Sequence, residues 1–347
     1  MSRTMFACRM HNIGEKLRTD YVSVPVVAAQ ELLVDVKASG ICHSDLNYRD
    51  GIAPVRRLPM TLGHEIAGIV AETGGRVRGL SAGDKVLVHY VISCGKCTYC
   101  RSGHDNYCVE YQMIGKDVDG GFAEFVKVPA RSAIKLPKGL KFEQAAIMGC
   151  AVPTAYHALK RGRVKRGDTV VVFGVGGLGM HAVQLAAKVF RAGLIIAVDV
   201  HQWKLDMAKR FGARESINGE DEDVVDSLGK LTGGQLGDVV LDFVGRDSTI
   251  EKAIESTGKG GRMVLVGIGS KSLHISPYNS LIGREMEIIG VDDHLKTDLI
   301  DLVKLVRTGK LDLSQSITHR VPLQDINRGL EILEANKEKV IRIVAAK

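Results

Sequence analysis

Long apolar stretches are missing from this 347-residue chain, and their absence argues against a membrane-spanning protein. The longest segment without Asp, Glu, Lys or Arg is Thr169–Ala187, but it contains several glycines together with His181 and Gln184. A glycine-rich turn would leave backbone groups unsatisfied in lipid, so the segment is better explained as strand, turn and helix. The N-terminal residues also lack the apolar core of a secretory signal peptide. We therefore expect a cytoplasmic protein with no membrane partner.

Paired cysteines and long charge runs are also missing. Seven cysteines, an odd number in a chain without an export signal, argue against a disulfide scaffold. The net charge of +7 is spread along the chain, which favours a solvated surface over a nucleic-acid-binding tract. Only 5% of the residues are aromatic, but 45% are hydrophobic, which excludes a disordered chain and fits about two folded domains.

Four of the cysteines lie close together at positions 94, 97, 100 and 108, so that two Cys-x-x-Cys steps share a cysteine. Four thiolates in so short a segment can close a tetrahedral shell around one ion, and Gly95 and Gly103 ease the chain reversal. Zn²⁺ suits this ligand set best, while an iron–sulfur cluster, a disulfide pair or free thiols remain alternatives. Because a four-ligand shell leaves no position for a substrate, residues 94–108 are predicted to form a structural zinc lobe with ligands Cys94, Cys97, Cys100 and Cys108.

Two further cysteines and one histidine provide a second candidate metal site. Cys42, His64 and Cys150 would give two thiolates and one imidazole with an open fourth position, which is a ligand set of catalytic zinc sites. These residues are far apart in the sequence, and an isolated buried cysteine is more often a packing residue. Spacing alone therefore supports this site only weakly. Cys8 has no companion and is assigned to packing or to the surface.

A glycine-rich loop follows a predicted buried strand in the second half of the chain. The β-branched run Thr169–Phe173 leads into Gly174, Val175, Gly176, Gly177, Leu178 and Gly179, with a helix predicted over 178–190. The spaced glycines permit a tight turn, close approach of a pyrophosphate and close helix packing, and the helix N-terminus attracts the anion. Asp199 ends the next predicted strand, about 20 residues after the loop, where it can bind a ribose and repel a 2′-phosphate. The pattern predicts a dinucleotide site that favours NAD over NADP.

The pattern of the whole chain indicates two domains of different class. Short alternating runs bounded by turns make residues 1–150 a mainly β domain, whereas alternating strands and helices in residues 151–292 are typical of a doubly wound parallel sheet. The later predicted strands cover 238–244, 263–266, 287–291 and 340–344, and the helices cover 201–212, 221–231, 248–257, 297–307 and 324–335. Pattern alone does not assign the last segment to either domain.

Taken together, these motifs resemble the zinc-dependent, medium-chain alcohol dehydrogenase family of the medium-chain dehydrogenase/reductase superfamily. The resemblance covers essentially the whole chain and rests on Gly63–Glu65, Cys42–Asp45, the 94–108 lobe, and Gly174–Gly179 with Asp199. It implies an α/β protein with an N-terminal mainly-β, GroES-like catalytic domain (1–150) and a Rossmann cofactor domain (151–292), followed by a C-terminal segment (293–347) that returns to the catalytic domain. It also implies a homodimer or homotetramer.

The resemblance further implies roles for single residues. Cys42, His64 and Cys150 would hold the catalytic zinc, with Glu65 behind it, Asp45 orienting His64, and Ser44 taking the proton of an alcohol. Besides the glycine loop and Asp199, the expected cofactor contacts are Thr154 near the nicotinamide, Lys204 at the ribose, Arg342 and His43 at the pyrophosphate, and the backbone of Val266, Ile289 and Val291 at the carboxamide.

The implied reaction is the reversible oxidation of a primary or secondary alcohol, a small-molecule substrate, by NAD through a zinc-bound alkoxide and hydride transfer. A polyol or sugar dehydrogenase of the same fold is an alternative, although some of those use a Glu where this chain has Cys150. A nucleic-acid-binding zinc module is a more remote alternative, because the lobe has few basic and aromatic residues.

One position departs from the family pattern. Asn47 stands where many relatives have a His that passes the proton to solvent, and an amide cannot act as a base. Water or His43 would have to replace that step.

Overall fold

The computed structural model describes residues 3–269, 272–275, 278–335 and 339–347. The chain forms two compact units, one of Met1–Pro153 with His294–Lys347 and the other of Thr154–Asp293. No helix in the described part of the chain combines the length and apolar character needed to cross a bilayer.

The strands assigned in these ranges number eighteen and run along both units. They are β1 (Thr4–Met10), β2 (Arg18–Ser23), β3 (Glu31–Ile41), β4 (Met60–Thr61), β5 (Glu65–Thr73), β6 (Lys85–Val88), β7 (Val91–Ile92), β8 (Gln112–Met113), β9 (Phe125–Pro129), β10 (Ala133–Lys135), β11 (Thr169–Phe173), β12 (Leu194–Asp199), β13 (Glu215–Asn218), β14 (Gly237–Asp242), β15 (Thr257–Leu265), β16 (Glu287–Gly290), β17 (Ile317–Pro322) and β18 (Arg342–Ala346).

Helices are short in the first half of the chain and longer in the second. They are α1 (His43–Arg49), α2 (Thr98–Arg101), α3 (Phe142–Ile147), α4 (Ala151–Arg161), α5 (Gly179–Leu185), α6 (Gln202–Phe211), α7 (Val224–Thr232), α8 (Asp247–Glu255), α9 (Tyr278–Arg284), α10 (Lys296–Arg307) and α11 (Ile326–Ala335). A π-helical turn, Ala186–Phe190, extends α5, and single 3₁₀ turns lie at Asp105–Tyr107, Ala130–Ser132 and Leu323–Asp325.

The first unit is built around a mainly antiparallel sheet with the strand order β10-β6-β5-β3-β18-β17, and β9 also pairs with β3. Leu32, Val34 and Val36 alternate along β3 and are fully buried in the core, as expected for the inward face of a strand. The C-terminal strand β18 pairs antiparallel with β3 and parallel with β17, so residues from both ends of the chain complete one sheet. The prediction of a mainly β domain is confirmed.

The second unit is a parallel sheet with the strand order β13-β12-β11-β14-β15-β16. Consecutive residues Val170, Val171 and Val172 of β11 are all fully buried, because a strand with both faces covered needs no polar alternation. The strand order reverses between β11 and β14, and ligands of such sheets bind beyond the strand ends at this point. The predicted doubly wound parallel sheet is confirmed, and the glycine loop starts at its reversal point.

Several element boundaries differ from the prediction for identifiable reasons. β15 begins at Thr257, six residues before the predicted strand 263–266, because its glycine-rich first half has no apolar run to reveal it. There it pairs with β14 through Gly237 and Thr257, with a register shift that accommodates the irregular sequence. The short polar strand β13 has no apolar run and was not predicted either.

Candidate metal and cofactor sites

Three separate backbone elements place Cys42, His64 and Cys150. Cys42 follows β3 and precedes α1, and His64 immediately precedes β5. The pairing of Gly40 with Glu65 sets the register of β3 and β5. Cys42, just after β3, and His64, just before β5, therefore lie at the same end of this strand pair. Cys150 lies between α3 and α4, and α3 packs on both strands.

The ligand atoms of Cys42, His64, Cys150 and Glu65 all lie within 4.8 Å of one another, and all four side chains are buried. Two glycines allow this close approach. A Cβ at Gly40 would lie 1.9 Å from Glu65 Oε2, and a Cβ at Gly149 would lie 2.9 Å from Glu65 Cα. The structure therefore brings together the three predicted ligands and the predicted neighbour Glu65.

Asp45 supports this cluster from the first turn of α1. Its Oδ2 accepts a hydrogen bond of 2.8 Å from the backbone N–H of Cys42, and its Oδ1 lies 3.3 Å from His64 Nδ1. Burial opposes charge on His64, but the Asp45 carboxylate and Cys42 together outweigh burial and raise the pKa of the imidazole. With Nδ1 directed at Asp45, Nε2 of His64 is the atom left for a ligand.

Glu65 is paired with Arg342 of β18, and the guanidinium donates a hydrogen bond to its Oε1. Burial raises the pKa of Glu65 to about 7, although the Arg342 charge opposes the shift. Arg342 itself is 4% exposed. The structure thus places Arg342 beside the metal-ligand cluster, and the pyrophosphate contact implied by the resemblance stays a prediction.

The donor set of the cluster fits a soft divalent cation. A hydrogen bond from the Cys150 thiol, aided by His64, lowers the pKa of Cys42, while the same bond and burial raise the pKa of Cys150. Buried Nε2 of His64 has no hydrogen-bond partner among the described residues. A cation among these atoms would stabilise both thiolates and give the imidazole a partner, and Zn²⁺ is the ion that two sulfurs and one nitrogen favour.

The four-cysteine lobe forms a second group of ligand atoms within 4.8 Å of one another. The backbone N–H of Cys100 donates to Cys97 Sγ and lowers the pKa of Cys97 to about 6. Burial and the neighbouring Cys97 raise the pKa of Cys100 to about 11. A central cation would stabilise the Cys100 thiolate and so lower this pKa. All four cysteines are free of disulfide bonds, so the lobe also fits zinc.

The glycine loop has the geometry that phosphate binding requires. Gly174 has a φ of +80°, which favours glycine, and a Cβ at Gly179 would lie 1.9 Å from the Gly174 carbonyl oxygen. A Cβ at Gly176, in contrast, would meet nothing within 4 Å, so the backbone there is open to a ligand. Gly177 follows, and Leu178 is the N-cap residue of α5.

Asp199 holds this loop as well as ending β12. Its Oδ2 accepts a hydrogen bond of 3.0 Å from the N–H of Val175, and its Oδ1 accepts bonds from the N–H groups of Val200 and His201. Lys204 Nζ lies 3.8 Å from Oδ1, so the structure brings together the two residues for which ribose binding is predicted.

The remaining predicted residues occupy varied environments. Ser44 Oγ lies 3.8 Å from Cys42 Sγ, whereas His43 on the same helix is exposed. In the second unit, Thr154 is buried, and the N–H groups of Val266 and Val291 donate to carbonyls of Asp242 and Leu265; Ile289 pairs with Val264 inside the sheet. Val266 and Val291 therefore hydrogen-bond to neighbouring strands through their backbone N–H groups.

Two loops that the sequence predicts as pocket walls, near 89–92 and 268–295, contribute a row of rings beside His64. Tyr90 meets the His64 ring edge-on at 5.3 Å, His294 meets Tyr90 edge-on at 5.0 Å, and His89 lies 5.1 Å from His294. His89 and Tyr90 directly follow β6, the strand next to β5 in the sheet. The sequence signal for His89 was its position at the end of a strand adjacent to His64, whereas His294 has no local signal.

Comparisons with known proteins cover both units. The family described as alcohol dehydrogenase GroES-like domain matches residues 28–138, and the family described as zinc-binding dehydrogenase matches residues 177–307. An alcohol dehydrogenase of Geobacillus stearothermophilus is 35% identical over 93% of this chain and 94% of its own length. An NAD-dependent alcohol dehydrogenase of Sulfolobus acidocaldarius is also 35% identical, over 96% of this chain and 97% of its own. A sorbitol dehydrogenase of Bacillus subtilis is 29% identical over 99% and 97%, respectively.

Solved structures give the same result. The alcohol dehydrogenase of Aeropyrum pernix is 34% identical and superposes with a TM-score of 0.90 over 99% of this chain and 100% of that one. A zinc-binding dehydrogenase of Sinorhizobium meliloti bound to NADP is 28% identical, with a TM-score of 0.90 over 99% and 100%.

Proposed function

Because the chain belongs to the zinc-dependent medium-chain dehydrogenase/reductase family, we propose that it oxidises a primary or secondary alcohol reversibly to an aldehyde or ketone, with NAD as hydride acceptor. The observation that carries this proposal is the buried convergence of Cys42, His64 and Cys150, with Asp45 orienting the imidazole. Three ligands of this kind leave a coordination position for a substrate.

The residues of the first unit have different roles at this cluster. Cys42, His64 and Cys150 would hold zinc, which supplies Lewis acidity that lowers the pKa of a bound hydroxyl. Asp45 keeps Nε2 of His64 directed into the cluster, because its carboxylate lies at Nδ1. Ser44, beside Cys42, offers a hydroxyl that both accepts and donates a hydrogen bond, and it would take the substrate proton.

The onward path of that proton differs from the family pattern. Asn47 cannot act as a base, so the proton would pass from Ser44 to water or to His43. The exposure of His43 on α1 supports this route, because an exposed imidazole exchanges protons with solvent directly.

The second unit would bind the dinucleotide at the glycine loop. Asp199 supports NAD over NADP, because its carboxylate is held in place by three backbone N–H groups and would repel a 2′-phosphate. Lys204 lies close enough to share the ribose contact.

A polyol or sugar is the second candidate substrate class. The identity to a sorbitol dehydrogenase over nearly the whole chain favours it, whereas Cys150 as the third ligand speaks for simple alcohols. Both candidates use the same metal cluster and hydride acceptor.

The test is a panel of primary, secondary and polyhydric alcohols with NAD⁺ and NADP⁺, followed by the absorbance of the reduced nicotinamide. Cys42→Ser should lower zinc content by one ion per chain and abolish turnover. Cys8→Ser, which also removes a buried thiol from the first unit, should retain both. The proposal would be contradicted if Cys42→Ser lost the zinc of the three-ligand cluster and kept full turnover. It would also be contradicted if the wild type turned over no alcohol.

We also propose a cytoplasmic location and a homodimer or homotetramer. Seven free cysteines support a reducing compartment, because thiol ligands survive there. Strand β16 has a partner on one side only among the described residues, and Tyr278 and Ile282 on the preceding helix are exposed. Light scattering after gel filtration tests the assembly.

A further inference from the structure

The proposed function gives no role to three side chains of the first unit, His89, His294 and Asp105. His89 follows β6, and His294 opens the segment that leads into α10. Both imidazoles are almost completely buried, with exposures of 1% and 0%. Buried imidazoles are uncommon unless they are packed and polar-bonded, so their surroundings need an explanation.

These two imidazoles extend a ring stack that begins at the metal ligand His64. The ring stack consists of His64, Tyr90, His294 and His89, with successive centroid separations of 5.3, 5.0 and 5.1 Å. Tyr90 lies edge-on to both of its neighbours, at 87° and 88°. Edge-to-face contacts constrain ring orientation, so the position of His89 and His294 limits where Tyr90 and His64 lie.

Asp105 holds the far end of the ring stack. It lies on the 3₁₀ turn just before Cys108, inside the four-cysteine lobe. Its Oδ2 is 3.3 Å from His89 Nδ1, and its Oδ1 accepts a hydrogen bond of 3.3 Å from the backbone N–H of Lys296. Because Lys296 closely follows His294, one carboxylate fixes the two chain segments that supply the imidazoles.

The lobe that carries Asp105 is itself tied to the same segments. The Arg131 guanidinium donates to the Ser93 carbonyl at 2.8 Å, next to the first lobe cysteine, and the Lys296 ammonium donates to the Arg131 carbonyl. A Cβ at Gly95 would lie 2.0 Å from Arg131 Nη1, so the contact is close. The lobe therefore has little freedom to move relative to His89 without breaking these bonds.

We propose that Asp105 is a positioning residue that couples the folded four-cysteine lobe to the metal-ligand cluster through the ring stack. The carboxylate orients His89 and anchors the backbone beside His294, and these rings fix Tyr90 against His64. The inference rests on the proposed function, because its kinetic consequence is placement of the alcohol beside Tyr90 and His64. It gives the lobe a role in substrate binding in addition to stability.

The kinetic test compares Asp105→Asn with Glu110→Gln. Glu110 lies two residues after the lobe, and its carboxylate forms an exposed ion pair with Lys96 of the lobe. Asp105→Asn should lower kcat/KM for the alcohol about tenfold, mostly through KM, as loss of a carboxylate that orients a histidine does elsewhere. Zinc content and KM for NAD⁺ should stay unchanged. Asp105→Glu should recover part of the loss, and Glu110→Gln should show none.

A second readout does not depend on activity. In protein with ¹⁵N-labelled histidine, assigned by single His variants, Asp105→Asn should shift the ring signals of His89, His294 and His64, whereas Glu110→Gln should leave them in place. If Asp105→Asn fails to fold, His89→Asn takes its place and should shift His294 and His64.

Unshifted His294 and His64 signals, or loss of lobe zinc in a folded Asp105→Asn, would overturn the positioning role. A wild-type protein that oxidises no alcohol would instead contradict the proposed function. The NMR result would then decide whether Asp105 has the positioning role.

Discussion

The guanidinium of Arg342 and the carboxylate of Glu65 form an ion pair between β18 and β5, and both side chains are buried beside the predicted catalytic ligands. The cluster is thus supported by a residue from the far end of the chain. Because Glu65 also lies within ligand distance of Cys42 and His64, the charge of Arg342 is part of the electrostatic balance of the cluster.

Arg342→Met should destabilise the metal-free protein by about 3–5 kcal/mol, because it leaves the buried Glu65 carboxyl without its partner. Urea denaturation measures the loss. The double variant Arg342→Met, Glu65→Gln should recover most of it, since neither buried charge is then left alone. Equal losses in the single and double variants would show that packing, and not the ion pair, is what Arg342 contributes.

Asp45→Asn should lower zinc affinity at the three-ligand cluster, and kcat/KM with it, by about 10- to 100-fold. The reason is that the carboxylate 3.3 Å from His64 Nδ1 fixes the ring and strengthens the imidazole as a ligand. Chelator competition and steady-state kinetics measure the two effects. Asp50→Asn, an exposed acid at the end of the same helix, serves as the control and should change neither.

Replacement of Asp199 should narrow the preference for NAD over NADP by about tenfold, because one negative charge beside the 2′-phosphate is removed. The structure adds a distinction between two variants. Asp199→Gly also removes the acceptor for the Val175 N–H and should raise KM for both cofactors, whereas Asp199→Asn keeps an acceptor oxygen. Asp206→Asn on the outer part of α6 is the control, and an unchanged ratio in both Asp199 variants would remove Asp199 from cofactor choice.

Asp242→Asn should reduce the loss of folding stability that the wild type shows as the pH rises towards neutral. Burial raises the pKa of Asp242 above 3.8, despite hydrogen bonds from the N–H groups of Gly245 and Val244. A raised pKa in the folded state stabilises the protein below the unfolded value, and this contribution is lost as pH rises through the folded value.

The unfolding free energy of the wild type minus that of Asp242→Asn should therefore fall as the pH rises above the unfolded-state pKa, about 4 for an aspartate. Urea denaturation at several pH values gives this difference. Glu251→Gln, at an exposed position of α8, should run parallel to the wild type. A constant difference for Asp242→Asn across the range would contradict the raised pKa.

Local sequence was sufficient where function depends on consecutive residues. The run from Thr169 to Gly179 combines strand, turn and helix in one segment. β11 has the predicted bounds, and β12 ends at Asp199 as predicted. The shift from α to π hydrogen bonding at Ala186–Phe190 was not predictable, because a single π turn is too short to leave a periodicity of its own in the sequence.

The first-unit site could not be derived in this way. Cys42, His64 and Cys150 come from separate elements, so ligand chemistry and spacing supported their grouping only weakly and the resemblance made it specific. The partner of Arg342 and the contact between Asp105 and His89 arise from strand order and from the return of the last segment, which no local periodicity encodes. Long-range pairing decides these contacts, so they became visible only in the structure.

The insertion of β18 between β3 and β17 has a consequence for the order of assembly. Glu65 and Arg342 are separated by 277 residues, and contacts of such long range form slowly because a large loop must first be closed. The parallel sheet of the second unit needs no such closure beyond its own residues. The Arg342 support behind the metal-ligand cluster should therefore form late in refolding, after the dinucleotide-binding half has already acquired its native structure.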